Sequence, residues 1–361
     1  MRITGFRTAI AQLPADEPLA DGPTVKGTRD FVTLEIETDQ PGLVGIGLTH
    51  FGGPVTPALR HTVDLLAQML VGDDPLRIEA AGEKLRAAAG ASMGPGGMFT
   101  LALAAIDIAL WDIKGKAFGV PVSVLAGGCR ERVPVYASGA LMRHFSLDDC
   151  VRAAGRLVER GWRQMKTQLA LPGPTTPTRE IERLREIRAV IGPDIDLMCD
   201  INQRWDVRQA ISIGRRIEDV GLFWLEDAVA HDDPHGMAEV ARALATPLAA
   251  GEYVYGSVPF RHMLEARAVD VVMIDVLRAG GITGWLKIAG MAQAFNLPVV
   301  SHLLPEVHVH LIAAIPNGLT VEYMPWSCPL FREVPVQVDG VITVPTKPGL
   351  GLEFDPAVQQ R

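Results

Sequence analysis

Short apolar runs that end in a charged residue recur along the second half of the chain. Ile195-Asp-Leu-Met-Cys-Asp200, Leu222-Phe-Trp-Leu-Glu226 and Leu248-Ala-Ala-Gly-Glu252 are three of them, and their terminal carboxylates are spaced 26 residues apart, twice over. An apolar run of this length, closed by a polar residue, predicts a buried parallel strand whose last side chain emerges at the rim of a sheet. A strand, a loop, a helix and a second loop occupy roughly 25 to 35 residues, so each interval is one βα unit. The pattern extends in both directions. Lys166 lies upstream in Arg163-Gln-Met-Lys166-Thr-Gln168; Asp275 ends Val271-Val-Met-Ile-Asp275, His302 ends Pro298-Val-Val-Ser-His302, and Glu322 ends Thr320-Val-Glu322. Helix-period stretches fill the intervals at Arg179 to Val190, Val207 to Val220, Gly236 to Leu244 and Thr283 to Phe295. Strand and helix alternating in this way predict an α/β barrel, in which polar residues at strand C-termini are the usual catalytic positions.

The first third of the chain has a different rhythm. Arg2 to Ile10, Phe31 to Thr38 and Leu43 to Leu48 read as antiparallel strands, the last two joined by a turn at Asp39-Gln-Pro-Gly42. Helical stretches follow at Val55 to Leu70, Arg77 to Ala89 and Met98 to Phe118. Leu13 to Thr28 and Gly94 to Gly97 read as loops, the former long and mobile. After Glu322 the spacing of Pro325, Pro329, Pro335, Pro345 and Pro348 predicts an extended tail that folds back. The expected organisation is an α+β capping domain over residues 1–125, a barrel over 126–325, and a C-terminal segment over 326–361 that packs on the cap.

Three carboxylates on adjacent strand ends repel one another unless a cation sits among them. Asp200, Glu226 and Glu252 are therefore candidate ligands of a hard divalent metal. His302 and Asp275 end successive strands and can meet. A carboxylate on one imidazole nitrogen fixes the tautomer and makes the other nitrogen a stronger base, so His302 is the candidate general base and Asp275 its partner. Asn202, two residues beyond Asp200, positions substrate, supports the Asp200 ligand or stabilises a turn. Lys26, Arg29 and His50 sit in predicted cap loops, where they either meet the distal part of a substrate or face solvent. His308 and His310 are read as packing or surface residues, and His231 and His235 as solvated.

These residues resemble the mandelate racemase-like branch of the enolase superfamily. The resemblance is carried by the segment Ala105 to Gly128, by Asp200-Ile-Asn202-Gln, Glu226-Asp and Gly251-Glu252, and by Asp275, Gly280-Gly-Ile-Thr-Gly284-Trp and Ser301-His302. It implies a (β/α)7β modified TIM barrel under an α+β cap, an essential magnesium ion, and abstraction of a proton α to a carboxylate. It also implies that Lys166 contacts the substrate carboxylate and that Glu322 is a protonated acid donating to it. Gln168, a candidate substrate-binding residue, stands where the family often has a second lysine, and Gln cannot act as a base. A two-base racemase is disfavoured on that ground, and a one-base dehydratase of a sugar acid, giving a 2-keto-3-deoxy acid, is the leading expectation. An epimerase, racemase or cycloisomerase is the alternative within enzymes. A non-catalytic metal-binding barrel is the alternative outside them, and the retained His302 and Asp275 speak against it.

Composition narrows the partners. The chain has 361 residues, a net charge of −8 and 48% hydrophobic residues, enough for a large core. The acidic balance disfavours nucleic acid or an anionic membrane as partner. The most apolar stretch, Thr100 to Phe118, carries Asp107, Asp112 and Lys114 and is not a membrane span. Met1-Arg-Ile-Thr-Gly-Phe begins as a strand, without a secretory leader. Cys129, Cys150, Cys199 and Cys328 have no pair spacing and are expected to be free thiols of a cytoplasmic protein. A small-molecule carboxylate is the expected partner and a homo-oligomer the expected assembly.

Overall fold

The computed structural model describes residues 1–20, 26–50, 53–90, 96–171, 173 and 176–359. Three antiparallel strands open the chain: β1 (Ile3–Pro14), β2 (Thr28–Thr38) and β3 (Val44–Thr49). β1 is longer than the sequence pattern predicts, because its ladder with β2 continues through Leu13↔Arg29 to Pro14↔Thr28. The expected loop from Leu13 therefore shrinks to the residues between Pro14 and Thr28, of which 21–25 lie outside the described residues. The Asp39–Gly42 turn forms as expected, with Gly42 in a left-handed conformation (φ 75°) and the Thr38 hydroxyl accepting from the Gln40 N–H.

The helix Gly97–Phe118 lies on this sheet. It is apolar on nearly every face and buried along most of its length, as a helix must be when clamped between two layers. Gly45 and Gly47 of β3 permit the approach: a Cβ on Gly47 would sit 1.9 Å from the Ala105 carbonyl oxygen. Asp112, fully buried on this helix, ties three segments together. Its carboxylate accepts from the Ile46 N–H (2.9 Å), the Leu350 N–H (2.8 Å) and Lys116 Nζ (2.6 Å). The preceding helix is shorter than expected, Ile78–Leu85, and continues as a π-helical turn over Arg86–Gly90. The predicted Gly94–Gly97 loop falls largely on residues 91–95, outside the described residues.

Eight parallel strands follow: β4 (Arg132–Leu141), β5 (Gln164–Gln168), β6 (Asp196–Asp200), β7 (Trp224–Glu226), β8 (Leu248–Ala250), β9 (Val271–Asp275), β10 (Val299–His302) and β11 (Gly318–Tyr323). Each pairs with the next, and β11 pairs with β4, which closes the barrel. Helices at Leu147–Glu159, Pro177–Ile191, Val207–Arg216, Pro234–Ala243, Ser257–Glu265, Ile282–Ala294 and Pro305–Ala314 separate the strands. Four of the seven start on a side-chain cap, from Ser146, Thr176, Asp206 and Asp233. Asp206, for example, accepts from the Gln209 N–H while the Gln209 side chain returns a bond to the Asp206 N–H.

Strand alternation sorts the barrel residues into two sets. Tyr136, Met198, Trp224, Ala249, Val271, Met273 and Val300 form their own cluster inside the barrel, and Cys199, of opposite parity, packs with the helical shell as expected. Asp200, Glu226, Asp275 and His302 share the parity of the interior cluster, so their strands aim them up the barrel axis. The tail first adds a hairpin, β12 (Gln337–Val338) and β13 (Val341–Thr343), antiparallel to β4. It then crosses the cap, where Leu350 meets Asp112 and Phe354 stacks on Phe331. Among the described residues no helix is long and apolar enough to cross a membrane.

Candidate active site

A cavity of about 800 Å³ opens at the C-terminal ends of the barrel strands, in the size range of small-molecule sites. His50, Lys166, Gln168, Asp200, Asn202, Glu252, Asp275, His302 and Glu322 line it. The register explains the convergence. Gln168, Asp200 and Glu226 are direct neighbours across β5, β6 and β7, and His302 is opposite Asp275 across β10 and β9. The chain then turns sharply at the rim. Ala170, Asn202, Gln203, Asp227, Leu303 and Leu304 all take positive φ just past strand ends, a strained choice for residues other than glycine.

The acid groups form a dense buried cluster. Glu226, wholly buried, accepts from Lys166 Nζ at 2.5 Å and from Trp224 Nε1 at 2.9 Å. Asp200 accepts from the Asn202 N–H at 2.7 Å and from Gln168 Nε2 at 3.3 Å. Glu252 lies two residues past the end of β8 rather than on it, yet still reaches the cavity. Burial first, and then the Glu252 charge, push Asp200 up to about 6 against the opposing Lys166 charge. Burial also pushes Glu226 well above the usual carboxylate range, with Asp200, Glu252 and Glu322 adding to it and Lys166 opposing. Oxygens of Glu226, Asp227 and Glu252 lie within 4.8 Å of one another, and both Asp227 oxygens are buried without a hydrogen-bond partner. Crowded, desolvated carboxylates short of positive charge are the donor set a hard divalent cation takes.

Opposite them stands the His–Asp pair. His302 Nδ1 is 2.6 Å from Asp275 Oδ2, and Asp275 Oδ1 accepts from the N–H groups of Leu277 and Arg278, each at 2.8 Å. Nδ1–H therefore donates to the carboxylate, and Nε2 is left facing Glu252 Oε2 at 3.4 Å. Burial works against both charges. Hydrogen bonding to His302 and the Arg278 guanidinium nevertheless hold Asp275 well below its usual range, and Glu252 and Asp275 raise His302.

Glu322 corrects the expectation of a protonated acid. Burial favours the neutral form, but Lys166 Nζ lies 2.8 Å from its Oε1, and this charge together with His302 lowers Glu322 to about 2. Its Oε2 accepts from the Leu303 N–H at 2.7 Å. Lys26 is a second correction: it is exposed and does not line the cavity. Arg29 also turns away from the cavity, pairing with Glu17 at 2.6 Å and stacking 3.8 Å above Trp326, so it anchors the cap to the barrel. His50 lines the cavity with Nδ1 against the Asp30 carbonyl at 2.8 Å; Phe51 and Gly52 lie outside the described residues. His308 and His310 are wholly buried packing residues, and His231 is exposed against Gln203.

The sequence pattern misses Arg143, Tyr253 and Arg278. Each sits in the first residues beyond a strand end or a rim carboxylate, which is the only signal that could have found them. Arg143 bonds Asn202 Oδ1 at 2.5 Å, and Asn202 Nδ2 reaches the Tyr253 hydroxyl at 3.3 Å. Arg278 holds the Glu252 carbonyl at 2.7 Å.

Relatives share this architecture. Residues 6–127 match the mandelate racemase / muconate lactonizing enzyme N-terminal domain, and residues 149–358 match the enolase C-terminal domain-like family. The chain belongs to the mandelate racemase-like branch of the enolase superfamily. Within that family it is 33% identical over 356 residues to L-talarate/galactarate dehydratase of Salmonella typhimurium, covering 97% of this chain and 88% of that protein. It is 30% identical to 3,6-anhydro-alpha-L-galactonate cycloisomerase of Streptomyces coelicolor, covering 98% and 97%. L-talarate dehydratase from Polaromonas sp. JS666, solved with Mg and L-glucarate, superposes with a TM-score of 0.91 at 34% identity, covering 99% of this chain and 96% of that one.

Proposed function

We propose that this protein is a magnesium-dependent dehydratase of acid sugars. The observation that carries the reading is one cavity lined by the His302–Asp275 pair, Lys166, Asp200 and Glu252, with Glu226 buried beneath it against Lys166 and Gln168 where a second base would stand. Glu226 and Glu252, whose oxygens already lie close together, would hold the ion with Asp200, the neighbour of Glu226 on the adjoining strand. Magnesium, when bound, supplies the positive charge that stabilises a substrate carboxylate as it takes up the electrons of the broken Cα–H bond.

The protein's residues supply the rest. Asp275 fixes His302 with Nε2 toward the cavity, so Nε2 is the atom that takes the α-proton. The imidazolium so formed then has the proton needed by the departing β-hydroxyl, and the enol tautomerises to a 2-keto-3-deoxy acid. Lys166 offers its charge to the substrate carboxylate. Glu322, ionised beside it, holds Lys166 and the Leu303 N–H in place. Gln168 and Asn202 brace Asp200 and can donate to substrate hydroxyls, but neither can remove a proton. A second reading is a cycloisomerase, favoured by the relatives of that activity at 30% and 32% identity. It uses the same proton abstraction, with a ring oxygen expelled in place of a hydroxyl.

A panel of aldonates, aldarates and their lactones with Mg²⁺, followed by mass spectrometry and trapping of keto acids, tests this. Loss of one water with keto-acid formation supports the dehydratase. Product of unchanged mass from a cyclic substrate supports the cycloisomerase, and no conversion of any panel member overturns both.

A further inference from the structure

The cavity holds more positive charge than proton abstraction uses. Four cationic side chains line it: Arg143, Lys166, Arg204 and Arg278. Two of them are committed. Lys166 is paired with Glu226 and Glu322, and Arg278 lies 3.7 Å from Asp275, holds the Glu252 carbonyl and stacks over Tyr253.

The other two are not. Arg143 spends one terminal nitrogen on the Asn202 side chain and the Asp200 carbonyl, but its Nε is buried without a hydrogen-bond partner. A buried guanidinium donor left unpaired is costly, since it has lost water and gained nothing. Arg204, exposed at the mouth of the same cavity, forms no ion pair among the described residues. Both line the same cavity beside Asn202. Two guanidiniums lining one cavity, neither in an ion pair among the described residues, give it the donors that a carboxylate takes.

We propose that Arg143 and Arg204 form a second anion subsite, and that the substrate is therefore a sugar diacid, an aldarate, rather than an aldonate. One carboxylate lies at Lys166 and the other is held by the two arginines. The relatives do not decide this, since their names include both diacids and monoacids. The inference rests on the acid-sugar reading above and adds the chemistry of the distal end. An aldonate places a neutral hydroxymethyl group where the second carboxylate would sit. Forfeiting one charge-assisted hydrogen bond corresponds to about 10- to 100-fold in affinity.

The test uses the full chain with Mg²⁺. Six-carbon aldarates of several configurations are each compared with the matching aldonate, by calorimetric binding to the His302→Asn protein and by kcat/KM of the wild type. Arg204→Ala, at an exposed position, and Arg143→Gln are then examined in the same way. The expected result is that an aldarate binds about 10- to 100-fold tighter than its aldonate. Arg204→Ala should remove most of that difference through KM while leaving aldonate binding unchanged. An aldonate that binds and reacts as well as its aldarate overturns the inference and leaves the dehydratase reading standing. So does an Arg204→Ala protein that weakens both classes alike. If no acid of either class binds or reacts, the acid-sugar reading falls and the inference with it.

Discussion

Lys166 occupies the centre of the carboxylate cluster, and its removal separates electrostatic from packing roles. Its Nζ lies 2.5 Å from Glu226 and 2.8 Å from Glu322, and all three side chains are at most 4% exposed. Lys166→Gln keeps most of the volume but leaves two buried carboxylates without their cation. Removing one partner of a buried ion pair costs about 3–5 kcal/mol. With an unfolding entropy of about 2.1 cal/mol/K per residue, a chain of 361 residues loses about 4–7 °C in melting temperature for that cost. In EDTA the variant should therefore melt about 4–7 °C below wild type. At saturating Mg²⁺ the deficit should narrow, because a divalent cation among Asp200, Glu226 and Glu252 replaces the missing charge and no longer competes with the lysine for Glu226. Thermal unfolding in the two conditions, with Mg²⁺ titrations of both proteins, makes the comparison. Equal deficits in EDTA and Mg²⁺ would refute the reasoning and reduce Lys166 to a packing residue.

Two further outcomes follow from other parts of the molecule. Glu306 is 1% exposed, its Oε1 has no hydrogen-bond partner, and burial raises it to about 7 against the opposing Ser327 contact. The folded protein thus holds this proton more tightly than the unfolded chain does, so stability is full below pH 4.5 and is lost as pH rises through 7. Glu306→Gln should lack that loss, gaining on the order of 3 kcal/mol over wild type at pH 8 and almost nothing at pH 4.5; parallel stability profiles for the two proteins would contradict it. Gln168→Lys places a base on the side of the cavity away from His302, and should introduce slow scrambling of the α-configuration, read by chiral chromatography of recovered substrate. Substrate recovered with its configuration intact would show that this position does not face the α-carbon.

How much of the site could be read beforehand follows from strand geometry. Asp200, Glu226, Asp275 and His302 were visible because each ends an apolar run, and a period of two aims every such residue into the same barrel. Their meeting follows from adjacency in the sheet, which the spacing of one βα unit already implies. In the sequence Lys26 and Arg143 look alike, since both are cations in polar loops. Only the path of the backbone separates them, putting Arg143 two residues past β4 and Lys26 at the outer end of the cap hairpin. The ionisation of Glu322 departs from what the resemblance implies for a related reason. Its burial could be guessed, but the lysine 2.8 Å away that reverses the sign of the shift arrives from β5, far along the chain. The length of β1 was missed because Pro14 and Gly27 look like breakers, whereas a proline ends a strand without cost when its position needs no donor.

The central claim is that His302, oriented by Asp275, removes the α-proton of a bound acid on one face only. The direct measurement is solvent deuterium incorporation at Cα, followed by NMR in D₂O with Mg²⁺ and a turned-over acid sugar. The wild type should exchange the α-proton of a single configuration, and His302→Asn should show neither exchange nor turnover while still binding the acid. Exchange that persists in His302→Asn, or exchange of both α-configurations by the wild type, would contradict the account.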